Sequence, residues 1–303
     1  MNFLTSSYFI YSLTFILIYS ALAVILHIQV SMTGIVNFGI VGFWGLGMYT
    51  FSLFLVSLNL PFIVAMLLAA IVTGLVSLLI GRIILDLDEQ AVLVGTLAFA
   101  TIIEDLTTTE KWLTNGVMGF GFVELPFKIG GSSYYTNLVW MVVVLAVLIL
   151  LLLYSAKMKK APYGRLLQSI KDNEPLARSL GKSTFRNKIV LFVFTSVLIG
   201  LLGAMAAPVY NFIFPRMISA SVTFTVWIAL MLGGRKKLLG GPVGILITLG
   251  IFDILVESVI PIPQQFAEVI PNIKLTVYGL TLMLVLMFRP LGVLGGKNKE
   301  VRG

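Results

Sequence analysis

No cysteine occurs in the sequence, which excludes disulfides, thiolate-held metal and thiol nucleophiles and leaves the compartment undecided. Charge is nearly as scarce. Asp, Glu, Lys and Arg make up 11% of the 303 residues, and the first 81 contain none of them, His27 being the one side chain there that titrates near neutrality. A run of that length without charge offers no surface to water, so it would aggregate as a soluble fold, whereas a bilayer accepts it at little cost. Paired histidines and other catalytic clusters are missing from the apolar runs, which argues against an intramembrane enzyme. The N-terminus lacks the basic stretch and cleavage site of a signal peptide, so the first apolar run is expected to remain a span.

What the chain does contain is apolar: 58% of its residues are hydrophobic and its mean hydropathy is +1.03. This places it in the polytopic membrane class. Stretches near 8–30, 35–57, 60–81, 90–103, 136–155, 188–207, 221–234, 241–260 and 274–288 predict nine spans within a range of about eight to ten, the fourth and seventh being short for a crossing. The expected fold is an all-α transmembrane helical bundle with some broken or short spans, forming a single domain over residues 1–303.

The net charge of +8 raises the question of nucleic acid, but its distribution answers against it. Nine of the 21 basic residues fall between Lys157 and Lys188, and others form an RKK run at 235–237 and a tail after Arg289. Membrane proteins mark their cytoplasmic side in this way. The pattern predicts that 157–187 is cytoplasmic and that the N-terminus lies outside and the C-terminus inside. It also predicts 104–135 as an external loop, where Glu104, Asp105, Glu110 and Glu124 face only Lys111 and Lys128.

Gly34, Gly39, Gly42, Gly45 and Gly47 crowd one early span, so one of its faces can pack almost backbone to backbone. Ser31, Thr33 and Asn37 stand where a helix start is expected. A broken helix with free N–H groups there would suit an anionic group, which makes these residues candidates for a substrate pathway beside the plain packing reading. Asp253 and Glu257 lie four apart in the eighth span, on one helical face. They read as a structural pair at a subunit contact, as partners of a substrate ammonium, or as groups reached by water in the outer leaflet.

Residues 162–181, PYGRLLQSIKDNEPLARSLG, are a charged helical segment between very hydrophobic neighbours. Pro162 suits a first turn, Leu166, Leu167 and Ile170 share a face, and Pro175 breaks the pattern before a second short helix closed by Gly181. An exposed apolar ridge of Leu166, Leu167 and Ile170 is expected. Three uses fit such an element: an interfacial helix, a linker, or a helix docked in a groove of a soluble partner, the last being favoured by its kink and regular spacing.

This segment resembles the cytoplasmic coupling segment of permease subunits of branched-chain amino acid ABC importers, a family that also includes urea and amide permeases. TGIVNFGIVGFWGLGMY at 33–49, TLAFATIIEDLTTTEKWLTNGVMGF at 96–120, PVYNFIFP at 208–215, Gly233-Gly234 and FRPLGVLG at 288–295 are similar to that family's landmarks, in order along nearly the whole chain.

The resemblance implies a multi-pass protein of the prokaryotic plasma membrane. It would form half of the pathway with a homologous permease subunit, be powered by two ABC ATPase subunits and be fed by an external substrate-binding protein with a small polar solute. Arg165, Asp172, Asn173, Glu174, Ala177 and Gly181 are then the ATPase-coupling residues, with small Ala177 and Gly181 permitting close contact. ATP and Mg belong to the partner ATPases. GKS at 181–183 lacks the upstream glycine of a Walker A motif, so no cofactor, metal or catalytic residue is expected in this chain. Lys236 and Lys237 depart from the family pattern and predict a more open basic turn, while Asn115 stands where a second glycine is common. An ion-coupled secondary transporter is the rival class, with Asp253 and Glu257 as its only candidate coupling carboxylates.

Overall fold

The computed structural model describes residues 7–121, 123–127, 133–254, 270–289 and 291–295. The described chain is an all-α bundle with one two-residue strand pair. Its elements are α1 (Ser7–Met32), α2 (Ile40–Ser52) running on as a π-helical turn (Leu53–Ser57), α3 (Phe62–Ile84), α4 (Glu89–Thr109), the single turn α5 (Lys111–Thr114) and β1 (Phe120–Gly121). After these come α6 (Ser133–Lys160), α7 (Pro162–Asp172), α8 (Glu174–Ser179), α9 (Thr184–Tyr210), β2 (Phe212–Ile213) and α10 (Ala220–Gly233). α11 (Gly240–Ile245) continues as a π-helical stretch (Leu246–Ile254), and α12 covers Ile270–Phe288.

Among the described residues, seven helices are long and apolar enough to cross a membrane, and Gly240–Gly250 and Thr276–Val285 are shorter apolar helices at the places of the eighth and ninth spans. α1, α2 and α9 form the centre: 61% of each one's apolar window is buried, against 28% in α3 and α6 at the rim. Glycine sets the spacing at this centre. A Cβ on Gly47 would overlap the Gly200 carbonyl, and one on Gly203 would overlap the carbonyl of Trp44, so α2 and α9 meet backbone to backbone. A Cβ on Gly42 would stand 2.9 Å from the Cα of Ala100 on α4, so a second neighbour uses the same glycine-rich helix.

Two expected boundaries change. The fourth span runs to Thr109 rather than 103, and the connection to α6 therefore starts at Glu110 instead of 104. Asp88 caps the start of α4 by accepting from Ala91 N at 3.1 Å. At the other end the hydroxyls of Thr107, Thr108 and Thr109 donate back to the carbonyls of Glu104 and Asp105 at 2.8 Å, which lets polar residues prolong a helix that hydropathy alone would stop. The seventh span gains a preceding 3-10 turn, Pro215–Ile218, set off from α10 by extended Ser219, and with it the candidate crossing reaches 19 residues, Pro215–Gly233.

The helix ends sort into two groups. At one end β1 pairs antiparallel with β2, Phe120 opposite Ile213, and Val123 N donates to Asn211 O at 3.2 Å, tying the α4–α6 connection to the end of α9. Asn115, standing where a second glycine is common in the family pattern, takes a left-handed conformation at φ 59. The opposite end gathers the α1–α2 break, the α3–α4 turn, α7, α8 and the start of α9. The turn after α10 is closed rather than open: Lys237 N donates to Gly234 O at 3.1 Å and Gly240 N to Lys237 O at 2.9 Å. Gly234 at φ 113 makes that turn possible, so the turn closes with Lys236 and Lys237 in it.

Candidate functional site

The basic segment folds as two short helices pressed against the bundle. Gly164 is required where α6 turns into α7, because a Cβ there would overlap the Met158 carbonyl. The predicted apolar face forms, but it points inward: Leu167 is 0% and Ile170 1% exposed, and Leu166 is half-buried. The expected exposed ridge is therefore corrected. Helical spacing reports a face and is silent on what covers it, and here the covering surface is this chain's own bundle. The exposed apolar groups lie instead on and just beyond α8, Leu176 at 56% and Leu180 at 70%.

Asn173, not Pro175, makes the break between the two helices. Its backbone is extended at φ −156 and ψ 93, and its side chain caps α8 by accepting from Leu176 N at 3.0 Å. Pro175 then sits in the first turn of α8, where its missing N–H costs nothing. Gly181 closes the helix at φ 75: Gly181 N donates to Arg178 O at 2.9 Å and Lys182 N to Ala177 O at 3.1 Å, the paired bonds of a left-handed helix end.

Glu174 is the hub of this element. Its carboxylate accepts from Lys188 of α9 and, at 3.1 Å, from Arg178, whose Nε donates to Thr184 Oγ1 at 2.9 Å. Burial alone would raise this carboxyl, but the bonds from Lys188, Thr184 and Arg178 outweigh it and hold the group below its ordinary range. Ala177 is 5% exposed and buried in its own chain, so its small size serves the packing of α8 here. An acidic residue at Ala177 would damage this fold before it reached any partner. Gly181, Arg165 and Asp172 are exposed, and an added Cβ at Gly181 meets open space.

The second polar concentration is the break between α1 and α2. The helix start expected near Ser31 lies at Ile40 instead; Ser31 belongs to the last turn of α1, and Thr33 Oγ1 donates back to Gln29 O at 2.9 Å. Asn37, fully buried, donates to Gln29 Oε1 at 3.2 Å, accepts from Gly39 N at 2.7 Å, and offers its carbonyl to Trp227 Nε1 at 3.0 Å. Gln29 Nε2 completes the set on Thr195 Oγ1 at 2.7 Å.

Two further N–H groups around the start of α2 are bonded within the bundle: Phe38 N donates to Thr96 Oγ1 at 3.0 Å and Val41 N to Thr223 Oγ1 at 3.3 Å. Ser31 Oγ is buried without a hydrogen-bond partner. Gln29, Thr195, Trp227, Thr96 and Thr223 escaped the reading of the sequence. The available signal was an amide and hydroxyls inside apolar spans, which must bond to one another once water is gone. The α7–α8 element approaches this network at the end of α1, where Lys171 Nζ donates to Ser31 O at 3.3 Å, and at Gly34. Glu257 lies outside the described residues, and Asp253 is described only as backbone of the π-helical stretch, so no pairing of the two can be drawn.

No group of three or more metal-ligating side chains occurs among the described residues. At the strand-bearing end, a cleft of about 380 Å³ opens between Tyr11 of α1, Glu124, Phe127, Asn137 of α6 and Asn211. This end and the basic end are the bundle's two polar mouths.

Comparison with known proteins accords with this layout. Residues 8–286 match the family model described as branched-chain amino acid transport system, permease component. The high-affinity branched-chain amino acid transport system permease protein LivM of Salmonella typhimurium is 23% identical, the match covering 93% of this chain and 68% of the relative. Its Escherichia coli counterpart is 22% identical with the same coverage. A probable LivM of Methanocaldococcus jannaschii is 21% identical over 77% of this chain and 69% of its own. No solved structure matches the chain. With a family model spanning all the described apolar helices and these relatives agreeing over most of the length, this multi-pass membrane protein belongs to the permease-component family of branched-chain amino acid transport systems.

Proposed function

We propose that the chain is one of two permease subunits in an ATP-driven importer of branched-chain or closely related amino acids, with no ATPase site of its own. The basic end faces the cytoplasm, with the C-terminus there and the N-terminus outside, because Lys157, Lys159 and Lys160 end α6 and the remaining charge of α7 and α8 follows directly. The strand-bearing end faces outward and receives a substrate-binding protein. Ser31, Thr33 and Asn37 are the polar groups that a rearrangement of the break would turn toward the solute.

One observation carries the coupling assignment: a rigidly stapled pair of short helices, beyond the basic end of a span, exposes Leu176 and Leu180 while its other apolar face is spent on the bundle. An apolar pair held out on such a support suits a cleft in a separate ATPase subunit, with Arg165, Asp172 and Gly181 on the exposed surface beside it. ATP and Mg then bind to that partner.

The test uses Leu176→Asp with Leu180→Asp in the reconstituted complex. Both side chains are exposed, so the permease folds while ATPase recruitment and amino acid uptake fall together. Full recruitment with normal uptake would refute the assignment. Orientation is checked separately by single cysteines at Met118, which is 81% exposed, and Ser169, also exposed; they should label from opposite sides of intact cells. Uptake assays with leucine-type amino acids against urea and short amides separate the substrate readings within the family.

A further inference from the structure

We propose that Lys171 is the positioning residue that carries movement of the α7–α8 element into the break between α1 and α2, acting as a releasable latch between them. This rests on the reading of α7–α8 as the element that an ATPase moves.

The geometry starts at the end of α1. Ser31 lies in its last turn, where carbonyls have no intrahelical donor and favour a cation. Lys171 Nζ, at the end of α7, donates to the Ser31 carbonyl at 3.3 Å. The lysine stem lies over Gly34, where an added Cβ would stand 3.4 Å from Lys171 Cγ. One turn back on α7, Gln168 Nε2 lies 3.6 Å from Met32 Sδ. These contacts touch the chain where it leaves helical geometry, Gly34 being at φ 74, and the buried Asn37 network follows directly.

The latch differs in kind from the ion pairs that also hold the element. α8 is tied to α9 through Glu174 and Lys188, and to the α3–α4 turn by Arg178 and Asp86 at 3.7 Å. Those links join opposite charges. Lys171 instead binds a neutral carbonyl at 3.3 Å from an exposed position, without the mutual attraction of opposite charges that holds α8. Its partial burial lowers its pKa, with Arg235, Lys159 and Lys236 adding to this against Asp172. A cleft of about 250 Å³, lined by Thr33, Val36, Leu87, Asp88, Val92 and Lys171 among others, leaves space beside the break for the chain to move. The ion-paired α8 thus anchors the element to the bundle, and Lys171 of α7 reaches the break between α1 and α2 through a contact that can be made and released.

Lys171→Met and Lys171→Arg test this in the full reconstituted complex. ATPase recruitment and hydrolysis should stay within about twofold of the unaltered complex in Lys171→Met, while uptake per ATP falls by about tenfold, the effect that losing one charge-assisted hydrogen bond can produce. Lys171→Arg should keep the ratio. An unchanged ratio in Lys171→Met, a ratio that falls as far in Lys171→Arg, or a loss of recruitment that accounts for the lost uptake would each overturn the proposal. Intact recruitment in the Leu176→Asp, Leu180→Asp complex would remove the docking reading itself and the latch with it, an outcome distinct from the ratio measured for Lys171→Met.

Discussion

Helix α9 is held at two places by opposite means. Near its middle, Gly200 and Gly203 bring it against Gly47 and Trp44 of α2 with no room for a methyl group, whereas at its start Lys188 binds Glu174 of α8 through long polar side chains. The first contact depends on the absence of atoms and has no adjustable part. The second depends on charge and can be tuned by pH, by substitution or by a partner. A transport subunit needs both: a centre that moves as a body and an attachment at its rim that can respond.

The sharpest way to break this comparison is at the centre. Gly47→Val would drive a side chain into the Gly200 backbone, which cannot swing aside as a side chain would. The cost should exceed the upper end of ordinary overpacking, more than about 3 kcal/mol, and the variant should fail to accumulate as a monodisperse protein in detergent. A variant with unaltered yield and melting temperature would show that α2 and α9 are not in backbone contact. Asn37→Ala should come next in size. It removes the acceptor for Gly39 N and the donor to Gln29 in a site closed to water, at about 1–3 kcal/mol. Thermal unfolding should detect the loss, and an unchanged melting temperature would mean that the network is not closed to water.

These two sites also show what a sequence can and cannot disclose. The glycines of 34–47 announced close packing, but their partners Gly200 and Gly203 sit some 150 positions away, and no local pattern pairs them. The spans were legible from hydropathy because a bilayer demands apolar length. The end of α4 was not, since threonines that bond their own backbone look polar in the sequence and behave as helix. On α7, periodicity disclosed the apolar face of Leu167 and Ile170 and concealed its direction. Asn173 was read as part of the segment but not as its hinge, because the neighbouring proline is the louder signal and a cap is visible only once its acceptor is seen to be used.

Smaller effects sharpen the polar side of the comparison. The Glu174 carboxyl has a lowered pKa in the folded protein, so its contribution is complete above the unfolded-state value of about 4.3 and disappears as pH falls through the folded value. Glu174→Gln should therefore melt lower than the unaltered protein near neutrality, by at most about 1 kcal/mol for this partly exposed group, and the gap should close as the medium is acidified. Scanning fluorimetry in detergent across that pH range measures it. A gap that persists after the carboxyl is protonated in both the folded and the unfolded protein would mean that Glu174 acts by packing and not by charge.

The smallest expected effect on folding falls at Gly181, and it separates this chain's own needs from those of a partner. The residue holds a left-handed backbone at φ 75, which alanine adopts at a cost of about 1 kcal/mol and asparagine at less. Nothing in the chain lies within 4 Å of an added Cβ, so neither substitution meets a steric obstacle inside the permease. If only the backbone matters, uptake and ATPase recruitment should follow melting temperature, with Gly181→Asn close to the unaltered protein and Gly181→Ala slightly below it. If Gly181 lies against an ATPase surface, asparagine, the larger side chain, should be the worse of the two in recruitment while remaining the better in stability. That inversion is the expected result, and a strict parallel between recruitment and stability across both variants would place the partner's surface elsewhere on the segment.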